Sequence, residues 1–210
     1  MVLPETVHYF VSGVLLGFAA GVSPGPLLAL VIAETVMHSR KEGILVSLSP
    51  VLTDLPVIAG TIYILSQFSS SDFFLGIVSL AGAVFIGYLA CKNIMIRNMH
   101  TAVDHVKPQS LRKGVITNFL SPHPYLFWLT IGAPMITKAY TVGITSAVSF
   151  IAGFYLLLIG SKILIAFIVG QSKNFLQSRI YVSIIRATGI ILLVFVVLFL
   201  RDGLTLLRLI

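Results

Sequence analysis

Two short segments carry most of the chemistry this chain can do. Ser23-Pro24-Gly25-Pro26 and Ser121-Pro122-His123-Pro124 share an S-P-x-P pattern and lie 98 residues apart in a chain of 210. Two prolines spaced by one residue cannot sit inside a regular helix. Each removes an amide donor, clashes with the carbonyl one turn back and pushes the preceding residue out of helical geometry. Such a break can bind charge. A helix restarting after Pro26 presents amides without intrahelical partners and the positive end of its dipole, which favours an anion such as a carboxylate. Carbonyls released on the other side of each break can hold an ammonium group or a proton-bearing water. One site of this kind suits a small zwitterion.

Asp54, in Ser49-Pro50-Val51-Leu52-Thr53-Asp54-Leu55-Pro56, places a carboxyl group deep in an apolar run. A charge at such depth is costly unless paired, solvated or protonated, so it is a candidate proton carrier and a partner for a substrate amine. His123 titrates near physiological pH and is a candidate proton-sensitive gate. Asn118 and Thr117, one turn earlier, are candidate partners for freed carbonyls. Ser23 and Ser121 are candidate N-caps, and Tyr125 and Trp128 can line a cavity. The expected substrate-binding set is therefore Pro24, Gly25, Pro26, Asp54, Asn118, Ser121, Pro122 and His123, with Asp54 and His123 as coupling groups. Lys162 has two readings, a side chain snorkelling to the interface or a counter-charge for Asp54. Glu34 and His38, at i, i+4, form an interfacial hydrogen-bonded pair or a weak metal site.

The elements that carry these residues follow from composition. Hydrophobic residues make up 57% of the chain and charged residues 10%, against roughly 25% charged in a soluble domain. So little charge excludes a water-soluble globule of this size and a disordered chain alike, leaving a polytopic membrane protein. Six apolar runs stand out: Val7–Met37, Gly43–Gln67, Phe73–Met95, Gly114–Ile136, Val142–Val169 and Val182–Leu200. Each can cross about 30 Å of hydrocarbon at 1.5 Å per residue. The expected fold is all-α and integral to the membrane: six transmembrane helices in a 3+3 inverted-topology repeat, with the first and fourth broken. Residues 1–106 and 107–210 would be the two three-helix repeats of one membrane domain. Three spans per half is an odd number, so any repeat is inverted, and glycines echo at an offset of 100 (Gly43 with Gly143, Gly60 with Gly160). Paired broken helices in an inverted repeat point to the central site of a transporter. Gly76, Gly82, Gly87 and Gly189 permit close helix contacts, within one chain or in a homo-oligomer.

The net charge of +7 lies between apolar runs and reads as a topology signal, with no nucleic-acid partner expected. The first, third and fifth loops hold Arg40, Lys41, Lys92, Arg97, Lys107, Arg112, Lys113, Lys173 and Arg179, against Lys138, Arg201 and Arg208 on the other side. That asymmetry predicts a multi-pass protein of the plasma (inner) membrane with both termini outside. Val7–Leu16 reads as an anchor, since no Lys or Arg precedes it and the apolar run continues beyond it. A lone Cys91 excludes a disulfide framework and a Cys-based zinc site, and no His-Glu-x-x-His pair is present. No enzyme activity, cofactor or resident metal is expected. Two other readings stay open: a divalent-metal exporter using Asp54, His123 and Glu34, and a non-transporting membrane assembly protein.

At these residues the chain resembles the LysE/RhtB-type family of amino-acid exporters, the LysE-type translocators. The matching features are Pro24-Gly25-Pro26 in the first span, Gly43 and Gly60 in the second, and Gly114, Asn118, Ser121-Pro122-His123, Phe127 and Pro134 in the fourth. Leu27 stands where members often carry Asp or Asn, and Ser121 and His123 stand where Asn and Lys are usual. The resemblance implies export of amino acids or related small solutes, driven by an ion gradient.

Overall fold

The computed structural model describes residues 2–67, 72–95, 109–171 and 179–209. Arg97, Lys107 and Lys173, and the boundary between residues 106 and 107, lie outside the described residues. The chain order is α1 (Val2–Val22), α2 (Pro26–Met37), α3 (Arg40–Ser47), α4 (Ser49–Gln67), α5 (Asp72–Ile94), α6 (Ser110–Leu120), α7 (Pro122–Phe127), a π turn (Trp128–Gly132), α8 (Ala133–Val142), α9 (Ile144–Val169) and α10 (Arg179–Leu206). No strand occurs among the described residues.

Four helical stretches are long and apolar enough to cross a membrane: Glu5–Val22, Arg40–Ile64, Ile144–Val169 and Gly189–Leu206. Pro26–Met37 and Asp72–Tyr88 are shorter apolar helices. The protein is thus an all-helical, multi-pass membrane protein, and prolines account for much of its departure from six uniform runs. The expected first span ends its first helix at Val22, and α1 already has 21 residues. The break therefore follows a helix of full crossing length, whereas the 12-residue α2 is too short to cross alone. The fourth run is divided into α6, α7, the π turn and α8 by Pro122 and by an i→i−5 bond from the Ala133 amide to the Trp128 carbonyl. In the second run Pro50 removes the amide that would bond to Val46 O, and Ser49 Oγ donates to that carbonyl at 2.7 Å. Outward faces carry Val84, Leu156, Ile190 and Val197, all exposed, a surface suited to lipid.

Helix directions are set by glycine seams. α1 and α9 run parallel: Gly13 lies against Phe150, Gly17 against Phe154, and Gly21 against Leu158 and Ser161, while Thr6 and Ser146 share a hydrogen bond of 2.9 Å. A Cβ on Gly17 would run into the Phe154 carbonyl, with its carbon at 2.8 Å. Backbone approach this close is what small residues at every fourth position permit. α5 and α10 run antiparallel, with Gly76 against Gly203 and Leu207, Gly82 against Phe199 and Gly189 against Ala90 and Ile94. Those three glycines are therefore used within the chain. Beneath the seams, Leu16, Trp128, Ile131, Phe150, Phe154 and Ile86 form the main apolar core.

The seam yields a direct test. Gly17→Ala forces backbone apart and is expected to cost about 1–3 kcal/mol, the range for overpacking. It should appear as a lowered thermal midpoint in detergent. Gly60 faces open space, so Gly60→Ala should hold or raise the midpoint, by up to about 1 kcal/mol of helix propensity. Equal midpoints for the two variants would refute the seam.

Candidate functional site

The first break leaves carbonyls that a protein in lipid has to satisfy internally. Pro24 has no amide to offer Ala20 O, and α1 stops at Val22 before Gly21 O can be used. Lys162, from α9, takes both positions: Nζ donates to Gly21 O at 3.1 Å and to Ala20 O at 3.3 Å. A cation at a helix C-terminus also complements the dipole. Lys162 is 3% exposed, so it does not snorkel, and no direct ion pair to Asp54 is present among the described residues. The snorkelling reading is thereby corrected, and the counter-charge reading holds only through space, with Asp54 acting on Lys162 without a contact pair. The reason is the α1–α9 seam, which carries the side chain to the broken end of α1. The expectation that these carbonyls await a substrate ammonium is corrected with it.

The second break is closed differently. Pro122 removes the donor for Asn118 O, which instead accepts from the Ser121 amide at 3.2 Å. Phe119 O accepts from the Tyr125 hydroxyl at 2.9 Å. Asn118 does not serve the freed carbonyls with its side chain. Its Nδ2 donates to Thr53 Oγ1 at 2.6 Å and to Asp54 Oδ1 at 3.0 Å. Ser23 does not cap α2, whose N-cap is Gly25, and Ser121 occupies the N-cap position of α7 without a side-chain cap bond. Ser121 Oγ instead lies 3.3 Å from His123 Nδ1.

Asp54 is buried, 4% exposed, and its hydrogen-bond partners among the described residues are neutral. Besides Asn118, Thr53 Oγ1 donates to Oδ1 at 3.3 Å and Tyr155 OH to Oδ2 at 3.4 Å. The Trp128 indole interacts with the same carboxyl. Trp128 can lie there because Gly132 has no Cβ: one would enter its ring, 2.7 Å from Cζ3. The π turn thus folds Trp128 onto its own helix and toward α4 and α9, against Phe154 (ring centroids 5.2 Å apart) and Tyr155 (6.2 Å). Neither the π turn nor this aromatic wall was legible in periodicity.

These groups meet at one cavity of about 140 Å³, space for roughly ten waters or a small solute. Pro24, Gly25, Pro26, Asp54, Asn118, Ser121 and His123 line it, together with Lys162 and Trp128. Pro122 opens α7 directly after Ser121. Tyr125 is turned to Phe119 O. Glu34 is not part of the lining. Its carboxylate accepts from Ser110 Oγ and Lys113 Nζ, both at 2.6 Å, and His38 Nδ1 lies 3.1 Å from it. It ties α2 to α6 and stays apart from Asp54 and His123. Among the described residues no three His, Cys, Asp or Glu side chains gather as a metal site would require.

A family model described as LysE type translocator matches residues 18–203. Neither curated proteins nor solved structures provide a match to the chain.

The Asn118–Asp54 contact makes a measurable claim. In a double-mutant cycle of Asn118→Ala and Asp54→Ala, read by thermal unfolding in detergent, we expect a coupling of about 1 kcal/mol or more. Additivity to within about 0.5 kcal/mol would mean that the hydrogen bond does not exist.

Proposed function

The chain belongs to the LysE type translocator family, and from that premise we propose that it is a secondary exporter of an amino acid or related small zwitterion from the cytoplasm. Membership points to membrane transport of amino acids or similar solutes rather than to an enzyme. Export from the cytoplasm, coupled to an ion or proton gradient, is our reading beyond that. The observation that carries it is the convergence of two proline breaks, from opposite halves of the sequence, on one cavity that also holds a buried carboxyl group.

Several features support this arrangement. α1 and α9 are parallel, α4 and α6 are parallel, and α5 and α10 are antiparallel. Six alternating crossings in two inverted three-helix halves would produce this set of directions. Phe154 and Leu158, which line the cavity, flank the centre of the 26-residue α9, as expected of a midplane site. The charge asymmetry of the loops favours both termini outside the plasma membrane. In this reading Asp54 carries a proton or faces the substrate amine, and His123, beside Ser121, responds to pH at the second break. One half rocking against the other would expose the cavity alternately to the two sides.

Purified protein in liposomes, loaded with a panel of labelled amino acids under a proton or sodium gradient, is expected to release at least one of them. Asp54→Asn should slow that release by about tenfold or more, the size of a lost charge-assisted contact. Absence of flux for every amino acid under both gradients would defeat the proposal.

A further inference from the structure

Asp54 and Lys162 carry opposite charges, are both nearly fully buried, and line the same cavity without a direct ion pair between them. Asp54 is held by neutral donors from Asn118, Thr53 and Tyr155. Among the described residues, the hydrogen bonds of Lys162 go to carbonyls. An ammonium group has three N–H donors, and Ala20 O and Gly21 O engage two of them. Carbonyl dipoles hydrogen-bond a buried cation but do not neutralise it, and a buried charge without a contacting counter-ion is costly. Asp54 acts on Lys162 through space, but it accepts none of the hydrogen bonds the ammonium makes, so the third N–H is open to a carboxylate. The first turn of α2, represented by Leu27 and Leu28, lines the same space, and its dipole acts in the same direction.

We infer that Lys162 is the carboxylate-binding residue of the cavity. Its remaining N–H accommodates the carboxylate of a small solute, while Asp54, elsewhere on the lining, faces the amine. The inference rests on the exporter reading for its zwitterionic cargo and deepens it: the cavity selects solutes that carry a carboxylate over the corresponding amides. An amine placed at the broken end of α1 would meet the charge of Lys162 itself, which assigns the amine to the other side. His123, the other titratable side chain of the lining, lies beside Ser121 at the second break.

Trp128 is the single tryptophan of the chain and lines the cavity, so intrinsic fluorescence of the full-length protein in nanodiscs reports occupancy there. Titration with acetate should give a saturable change, and acetamide should bind about tenfold or more weakly, as for loss of a charge-assisted bond. Lys162→Gln keeps an amide donor for the α1 carbonyls and removes the charge; it should weaken acetate by a similar factor. Acetate that gives no change in the wild type, that binds no better than acetamide, or that binds Lys162→Gln unchanged would overturn the inference. If the variant does not fold, the acetate-to-acetamide ratio of the wild type decides alone. Acetate binding as expected, combined with liposomes that release no amino acid, would remove the exporter reading and leave Lys162 as an anion site.

Discussion

A carbonyl stripped of its amide partner inside a membrane has no water to turn to, and this constraint organises the protein. Three prolines show the consequence. Pro50 leaves Val46 O to the hydroxyl of Ser49. Pro122 leaves Asn118 O to the amide of Ser121, and the helix end at Leu120 leaves Phe119 O to Tyr125. Pro24 leaves Ala20 O to Lys162, which also serves Gly21 O. Three of these solutions are local in sequence. The fourth recruits a charge from a helix about 140 residues away, and it is the one that places a cation in the cavity.

That recruitment depends on backbone proximity. Gly13, Gly17 and Gly21 bring α1 against α9 so closely that any side chain would strike main-chain atoms or Ser161 Oγ. With the seam closed, a lysine on α9 reaches the end of α1 without crossing a gap. The same logic operates around Trp128. Gly132 frees the space into which the indole folds, and the π turn moves it toward Asp54 and Tyr155. Glycines in this chain act at a distance: they determine which charged and aromatic groups can converge.

The elements that announce themselves by composition were legible in the sequence: the apolar runs, the two breaks and the buried Asp54. Proline at i and i+2 excludes a helix regardless of context, and an acidic residue in an apolar run stands out in any window. Contacts between helices were not legible, because periodicity describes a single helix. Asn118 looked like a local cap for its own break, yet its amide crosses to Thr53 and Asp54. Ser23 looked like an N-cap, but the extended backbone of Gly25 holds that position. Lys162 could be read as a snorkelling side chain or as a counter-charge for Asp54, since a sequence does not reveal that it reaches the end of α1. The partition of the fourth run into four pieces was hidden too: Pro134, just past the π turn, removes the amide that would bond to Thr130 O, and Gly132 leaves room for the Trp128 ring.

The three buried charges differ in how they are answered, and the difference separates scaffold from site. Glu34 meets a cation directly, Lys113 at 2.6 Å, with Ser110 and His38 beside it. Its charge is cancelled where it stands, and the product is a clamp between α2 and α6. Asp54 and Lys162 have hydrogen bonds but no opposite charge in contact. Buried ions are retained at such cost only when something compensates them, and a direct pair between these two would have been the least demanding remedy. The helices instead let both line one cavity, where they act on each other through space and without contact. A mobile solute bearing both signs can supply the contact that the fixed structure withholds, and it can leave again because each ion keeps protein hydrogen bonds in its absence.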